Sequence, residues 1–412
     1  MSSISHCRVC RSSGLVEVLD FGVTAFTGVF PATREEMVDE GRLRLVICGS
    51  CGLAQLADSF PADVLYGDNY GYRSGLNASM LQHLRRTAGR LERLADLSPG
   101  NVVLDIGAND GSLLRSYETP GLLKIGIDPT IAKFIDFYAD DVDTTCVPDF
   151  FSAANFDAVS EARAAVVTSI AMFYDLEEPV GFARDIRHCL APEGLWHFEQ
   201  SYMPWMLRSG AYDTICHEHL EYYSLTTIKR ILDEAGMRII DVATNAVNGG
   251  SIAVTAARDD SSWETVSIIP DWLLEEERRS GVSDVATWHA FADVVRQRQN
   301  DLLALLVALR DSGKKVMGLG ASTKGNVLLQ TTGITPDLVS VIGDVNPYKF
   351  GRYMPGTGIP IVSEADVLAM EPDYLLVLPW HFRETFMVTL EPFLSRGGRL
   401  IFPLPDIEIV GY

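Results

Sequence analysis

The sequence predicts an α/β protein in three parts: a small metal-stapled module at the N-terminus, then two doubly wound α/β domains. Three observations predict it. The chain has 412 residues, too many for one ordinary core. Two Cys-x-x-Cys pairs lie near the N-terminus. Further on, apolar strand-like runs alternate with helix-like ones, and the alternation restarts after a long helical stretch. The expected divisions are 1–66, 67–260 and 261–412.

Composition fits a globular chain, with 47% hydrophobic and 22% charged residues. A net charge of −21 argues against nucleic-acid binding, which relies on Lys and Arg neutralising phosphates. No apolar run reaches the roughly 20 residues of a membrane helix. The segment from Met1 to Cys7 lacks the basic and apolar regions of a signal peptide. The expectation is a cytoplasmic monomer with neither membrane nor nucleic acid as partner. An odd count of seven cysteines without an export signal argues against a disulfide framework.

In the N-terminal module, β-like runs at Leu15–Phe21 and Leu43–Ile47 lie between Cys7-Arg8-Val9-Cys10 and Cys48-Gly49-Ser50-Cys51. Four thiolates from two such knuckles make a closed tetrahedral zinc site with no open position for chemistry. The metal is therefore structural, and in small modules it supplies an apparent ~10–16 kcal/mol of folding energy.

A Tyr-, Gly- and Asn-rich stretch over 61–77 contains Tyr70 and Tyr72. A helix is expected near Ala78–Leu97, then strands at Val102–Ile106, Leu123–Ile127, Ala165–Ile170 and Leu195–Gln200. Helices are expected from Gly111 to Tyr117, from Glu178 to Leu190 and from Leu225 to Ala235. Asp271–Leu309 reads as a long helical connector with core positions Trp288, Phe291, Val294 and Val295. The second α/β domain has strands at Val316–Leu319, Val339–Gly343, Tyr374–Leu378 and Leu400–Phe402, and a helix starting near Lys324.

Val102-Val103-Leu104-Asp105-Ile106-Gly107-Ala108-Asn109-Asp110-Gly111 runs from an apolar strand into a glycine-containing turn. Open α/β sheets bind ligands at this carboxyl edge. The pattern differs from Gly-x-Gly-x-x-Gly and resembles motif I of class I methyltransferases, in which the strand-end acid and turn face the methionine part of S-adenosylmethionine. That assigns Asp105, Gly107, Asn109 and Gly111 to the cofactor. Asp128 closes the next strand, where a carboxylate grips ribose hydroxyls. Asp149 and Phe150 are expected beside the adenine.

The segment Tyr212-Asp213-Thr214-Ile215-Cys216-His217-Glu218-His219-Leu220-Glu221-Tyr222-Tyr223 is dense in titratable groups. His217 and His219 are two apart rather than the four of the helical zinc motif. Acid–base work by histidine with a supporting Glu218 is the favoured reading. Cys216 as a nucleophile is disfavoured, since methyl transfer needs no covalent intermediate.

Taken with Gly320-Ala321-Ser322-Thr323-Lys324-Gly325-Asn326, Asp344-Val345-Asn346-Pro347 and Pro355-Gly356-Thr357, these motifs carry a resemblance along essentially the whole chain. The chain resembles the bacterial sugar C-methyltransferases that build branched deoxysugars on thymidine diphosphate. The resemblance implies loss of a proton beside the ketone of a nucleotide-linked 4-keto sugar and methylation of that carbon, expected to be C-3. It makes His219 the base, with Glu218 and His217 in support, and sets Tyr72 rather than Tyr70 against the enolate oxygen. Tyr70, Cys216 and Tyr222 are expected to line the acceptor pocket. Relatives often carry Tyr at the position of Cys216, a departure expected to affect which sugar is accepted.

In the last domain, Ser322, Thr323 and Lys324 stand at a helix N-terminus suited to a pyrophosphate. Asn326 and His381 are expected on the same ligand. The main rival is an O- or N-methyltransferase, which needs no acidic carbon.

Overall fold

The computed structural model describes residues 2–66, 72–139 and 143–411, and among them it has four β-sheets. The first metal knuckle is closed by Arg11 N–H donating to Cys7 O at 3.0 Å and Cys7 N–H to Ser12 O at 2.8 Å. The second repeats this with Gly52 to Cys48 and Cys48 to Leu53, both at 2.9 Å. Arg11 and Gly52 take the left-handed backbone, φ 61° and 73°, that ends such a turn. Between the knuckles, Leu15–Ala25, Glu40–Cys48 and Ala54–Leu56 pair antiparallel. The fourth strand of this sheet, Glu221–Tyr222, comes from far along the chain and sets Glu221 opposite Gln55 and Tyr222 opposite Ala54.

The middle sheet has seven strands. Val102–Ile106 lies between Leu123–Ile127 on one side and Ala164–Ile170 on the other, all parallel. Every residue of Val102–Ile106 is buried, as an apolar strand covered on both faces must be. Thr144–Val147 and Leu190–Ser201 extend the parallel set outward. Ser251–Arg258 runs antiparallel to both its neighbours, Leu190–Ser201 and Met237–Asn245. The direction of strand addition reverses beside Val102–Ile106, which places a topological switch point at its carboxyl end.

Helices flank this sheet. Ala78–Leu94 starts at Asn77, whose side chain accepts from Ser79 N–H, and buries Leu84, Ala88 and Leu91 on one face. The expected helix at Gly111–Tyr117 is only a 3-10 turn over Leu114–Ser116. Gly111 is left-handed at φ 74°, Asp110 ties up the N–H of Ser112 at 3.2 Å, and Pro120 leaves no room to continue. The strands at Thr144–Val147, Met237–Asn245 and Ser251–Arg258 were not among those expected.

The connector is two helices, Ile269–Ser280 and Val285–Asp311, separated by Gly281 at φ 62°. Trp288, Phe291 and Val295 are core, but Val294 is 42% exposed, one step off the buried stripe. The C-terminal sheet sets Val316–Leu319 between Ile342–Asp344 and Tyr374–Val377, again with a switch point. Its helix Thr323–Thr332 is capped by Ser322, whose Oγ accepts from Gly325 N–H at 3.0 Å.

The N-terminal and C-terminal parts share one apolar core with the loop before Glu221, through Phe26, Ile215, Trp288 and Leu328. Gln330 exchanges two hydrogen bonds with the backbone of Ala25, at 2.8 and 3.0 Å. Lys349 lies over the ring of Phe30 at 4.8 Å.

Glu277 reaches from the connector to cap the helix Leu225–Glu234. It accepts from Leu225 N–H at 2.6 Å, Thr226 N–H at 2.8 Å and the Tyr202 hydroxyl at 2.7 Å, while 2% exposed. Replacing Glu277 by Ala strands two buried donors, Leu225 N–H and the Tyr202 hydroxyl, and is expected to cost roughly 2–4 kcal/mol. Thermal unfolding should show a midpoint several degrees lower, with Glu277→Gln intermediate.

Candidate active site

A cavity of about 330 Å³ opens at the carboxyl end of Val102–Ile106. Its wall includes Asp105, Gly107, Asn109, Asp128, Phe150 and Tyr72 from the expected set. Gly107 at φ 73° and Asn109 at φ 51° fold the turn back over the sheet edge. Asp128 fixes that turn: its Oδ2 accepts from Asn109 N–H at 2.9 Å and its Oδ1 from Thr130 N–H at 2.6 Å. Asn109 in turn accepts from Ser74 N–H at 3.0 Å and donates to Tyr72 O at 3.2 Å, which brings the Tyr72 segment to the cavity. Asp105 accepts from the Thr168 hydroxyl at 2.6 Å, and burial pushes its carboxyl up to about 7.

Gly111 stands behind the wall, where a Cβ would come within 2.7 Å of Tyr138. Asp149 is absent from the lining; its carboxylate accepts from Asn155 Nδ2 at 3.2 Å and from Phe150 N–H at 2.7 Å. Tyr70 falls outside the described residues. Tyr66, Ser74, Ala171, Met172, Asp175 and Glu177 also line the cavity, and sequence reasoning missed them. Ala171 has a φ of 55°, unusual for a residue with a side chain and visible only in the structure.

The histidine segment does not enter this cavity as one block. His219 lines a much smaller space with Tyr174, Ser201, Thr214, Glu221 and Tyr222. Its Nδ1 is 2.8 Å from Thr214 O, a contact that requires a proton on Nδ1 and leaves the Nε2 lone pair available. Burial, helped by the charge of Lys324 and opposed by that hydrogen bond, lowers the imidazole to about 4. Its ring rests against Tyr174 with centroids 4.3 Å apart. Tyr222 is 5% exposed and donates its hydroxyl to His219 O at 3.0 Å, so its hydroxyl is committed to holding the His219 backbone.

His217 is displaced from the expected support role. A turn closed by His219 N–H donating to Cys216 O at 3.1 Å sends the two histidines different ways. His217 is wholly buried between Phe26 and Phe60, with Nε2 3.2 Å from Gly41 O, and its ring is lowered to about 4 by burial. Cys216 is also wholly buried, in the apolar core shared with Ile215, and lines neither cavity. Burial raises its thiol, which disfavours the thiolate a nucleophile needs.

Glu218 is 7% exposed and accepts from the Thr27 hydroxyl at 2.9 Å. Burial raises its carboxyl, and hydrogen bonds from the backbone and Thr27 oppose the rise. Its oxygen sits 2.7 Å from where a Cβ on Gly28 would be, so a side chain there would displace the Glu218 carboxylate. The Tyr66 hydroxyl donates to Glu218 O at 3.2 Å, which joins the large cavity to the histidine loop.

Lys324 stands near Asp213, His219 and His381, whose ionisation it influences together. Trp380 Nε1 donates to Asp213 Oδ2 at 2.8 Å and so ties the C-terminal domain to the loop. His381 is lowered to about 3, first by burial and then by Lys324. Ser322 spends its hydroxyl oxygen on the helix cap, and Thr323 faces the Gly28 and Glu218 contact. Asn326 is wholly buried one turn into the helix, so it does not face an open cleft, and neither amide atom has a hydrogen-bond partner among the described residues.

The thiols of Cys7, Cys10, Cys48 and Cys51 lie within 4.8 Å of one another, and no other His, Cys or acidic cluster of this kind occurs among the described residues. Four convergent sulfurs suit zinc, as the sequence predicts.

A seven-stranded sheet with one reversed strand, a switch-point cavity bounded by two acids and a four-thiolate module define a class: a zinc-stapled α/β methyltransferase dependent on S-adenosylmethionine. Family models match in the same order: a zinc binding domain over 7–66, a methyltransferase domain over 80–242 and a C-methyltransferase C-terminal domain over 246–405. The chain is 30% identical to the C-methyltransferase NovU of Streptomyces niveus over 99% of its own length and 97% of that protein. It belongs to this C-methyltransferase family. Among solved structures it is similar to the CcbJ methyltransferase of Streptomyces caelestis, with 15% identity over 42% of this chain and 89% of that one at a TM-score of 0.34. Magnesium protoporphyrin IX methyltransferase of Synechocystis PCC 6803 with bound SAM aligns at 16% identity over 43% and 79% of the chains, TM-score 0.33. No helix among the described residues is long and apolar enough to cross a membrane.

Asp128→Ala releases the N–H groups of Asn109 and Thr130 and lets the turn relax. S-adenosylmethionine binding measured by calorimetry should weaken by at least about tenfold, the scale of one charge-assisted hydrogen bond.

Proposed function

We propose that this C-methyltransferase acts on a thymidine-diphosphate-linked 4-keto deoxysugar and methylates the carbon beside the ketone, C-3, through an enolate. The observation that carries the reading is His219. Its Nδ1 proton is committed to Thr214 O, its Nε2 is the acceptor, and burial keeps the ring neutral. A neutral, oriented imidazole is what removal of a proton next to a carbonyl requires.

His219 Nε2 takes the proton from the carbon. Tyr72, on the wall of the large cavity, donates its hydroxyl to the developing enolate oxygen. Glu218, held by Thr27, fixes the loop on which His219 stands. The 330 Å³ cavity holds the donor, with Asp128 toward the ribose and the Gly107–Asn109 turn toward the methionine part. S-adenosylmethionine supplies the methyl group to the carbon when bound. Lys324 and the helix N-terminus at Thr323 hold the pyrophosphate, a role that fits their position beside His219. The reading takes the working unit to be one chain in the cytoplasm, divided near 66 and 260.

Incubating the protein with S-adenosylmethionine and the keto sugar nucleotide, then weighing the product, tests this. The keto sugar should gain one methyl and its 4-hydroxy counterpart none; a methylated 4-hydroxy sugar would favour the O-methyltransferase rival. His219→Asn should lower turnover by roughly 10²–10⁴-fold while donor affinity stays within twofold.

Because the ring's pKa is lowered, His219 stays unprotonated as pH falls through the ordinary imidazole value near 6.5. The acid limb of kcat/KM set by this residue should therefore fall near pH 4, where the ring finally takes a proton. A limb at 6.5 would contradict the assignment of a buried, neutral base.

A further inference from the structure

Arg8 lies between two zinc ligands of the first knuckle, yet its side chain points away from the thiols and into the protein. It is 2% exposed, and a guanidinium so buried must be matched by carboxylates and hydrogen bonds. Nη1 donates to Leu56 O at 2.7 Å, Nη2 to Ser59 Oγ at 2.9 Å, and Nε to Glu177 Oε2 at 3.1 Å. Glu221 Oε1 is 3.7 Å from the same Nε.

These two carboxylates belong to different working parts. Glu177 is on the wall of the large cavity. Glu221 is two residues beyond His219 and is 1% exposed; among the described residues neither of its carboxylate oxygens makes a hydrogen bond of normal geometry, and the Arg8 guanidinium is the cation beside it. The backbone N–H of Arg8 donates to Gln55 Oε1 at 3.0 Å, and Gln55 is the strand partner of Glu221. Arg11, from the same knuckle, pairs with Glu178 beside Glu177.

We infer that Arg8 is a positioning residue that sets the cavity wall at Glu177 from the frame of the metal knuckle, so that the zinc module tunes affinity for the methyl donor. A planar fork fits this task, because it reaches Leu56 O, Ser59 and Glu177 at once from a backbone anchored by its neighbours. The inference rests on the reading that the large cavity takes the donor.

A double-mutant cycle on the full-length, zinc-loaded protein tests it, with S-adenosylmethionine affinity read by calorimetry and zinc per chain by metal analysis. Arg8→Met and Glu177→Gln should each weaken the donor by about tenfold, and the double variant by no more than the worse single. Arg8→Lys should recover part of the loss. Zinc per chain should stay at the wild-type value in all four. Glu177 is half exposed, so its variant keeps the test open if Arg8→Met folds poorly. Single effects that multiply in the double variant, or normal donor affinity in Glu177→Gln, overturn the inference. If Asp128→Ala also leaves donor affinity unchanged, the cavity reading fails, and this inference with it.

Discussion

Two residue pairs, Glu221 with Gln55 and Tyr222 with Ala54, sew the histidine loop onto the small N-terminal module. The module's own strands are three, two long ones and the short Ala54–Leu56, and so small a sheet gains from a staple. It has two: the four thiols and the borrowed strand. The borrowed strand works both ways. It completes the small sheet, and it fixes where the chain leaves His219. Trp380 holds the other end of the loop at Asp213, and the Tyr66 hydroxyl grips its middle at Glu218 O. A histidine held at three points from three segments loses little orientational freedom.

The surroundings of that loop are buried and acidic. Burial raises the carboxyls of Asp175, Glu218 and Glu221, while the rings of His217 and His219 are lowered. All these shifts favour neutral forms, because the cost of an ionised group away from water exceeds what its partners return. Lys324 acts on the His219 ring from the C-terminal side, and Arg8 lies behind Glu221. Lys324 supports the neutral imidazole.

Much of this was legible in the sequence because it is local. Val102–Ile106, Leu123–Ile127 and Val316–Leu319 are strands with the expected ends, since apolar runs bounded by polar or glycine residues report burial directly. The Cys-x-x-Cys pairs and the Asp128 position follow from spacing alone. What failed depended on direction or distance. Cys216, His217 and His219 look alike as a reactive cluster, but a single turn buries the first two and presents the third. Asn326 sits in a ligand-like motif, yet helix phase puts it inside. Val294 missed the core by one position for the same reason. Asp175, Glu177 and the reach of Arg8 rest on contacts between residues far apart in the chain, for which a single sequence carries no signal.

The central claim is that His219 removes a proton from the carbon beside a ketone. Hydrogen exchange separates that step from methyl transfer. The protein would be incubated in deuterated water with the thymidine diphosphate 4-keto deoxysugar and S-adenosylhomocysteine in place of the donor, and the recovered sugar examined by NMR and mass. The account predicts deuterium at the carbon next to the ketone with the wild-type protein and only background exchange with His219→Asn. Exchange that survives the substitution undiminished would contradict it and move the base to another residue of the site.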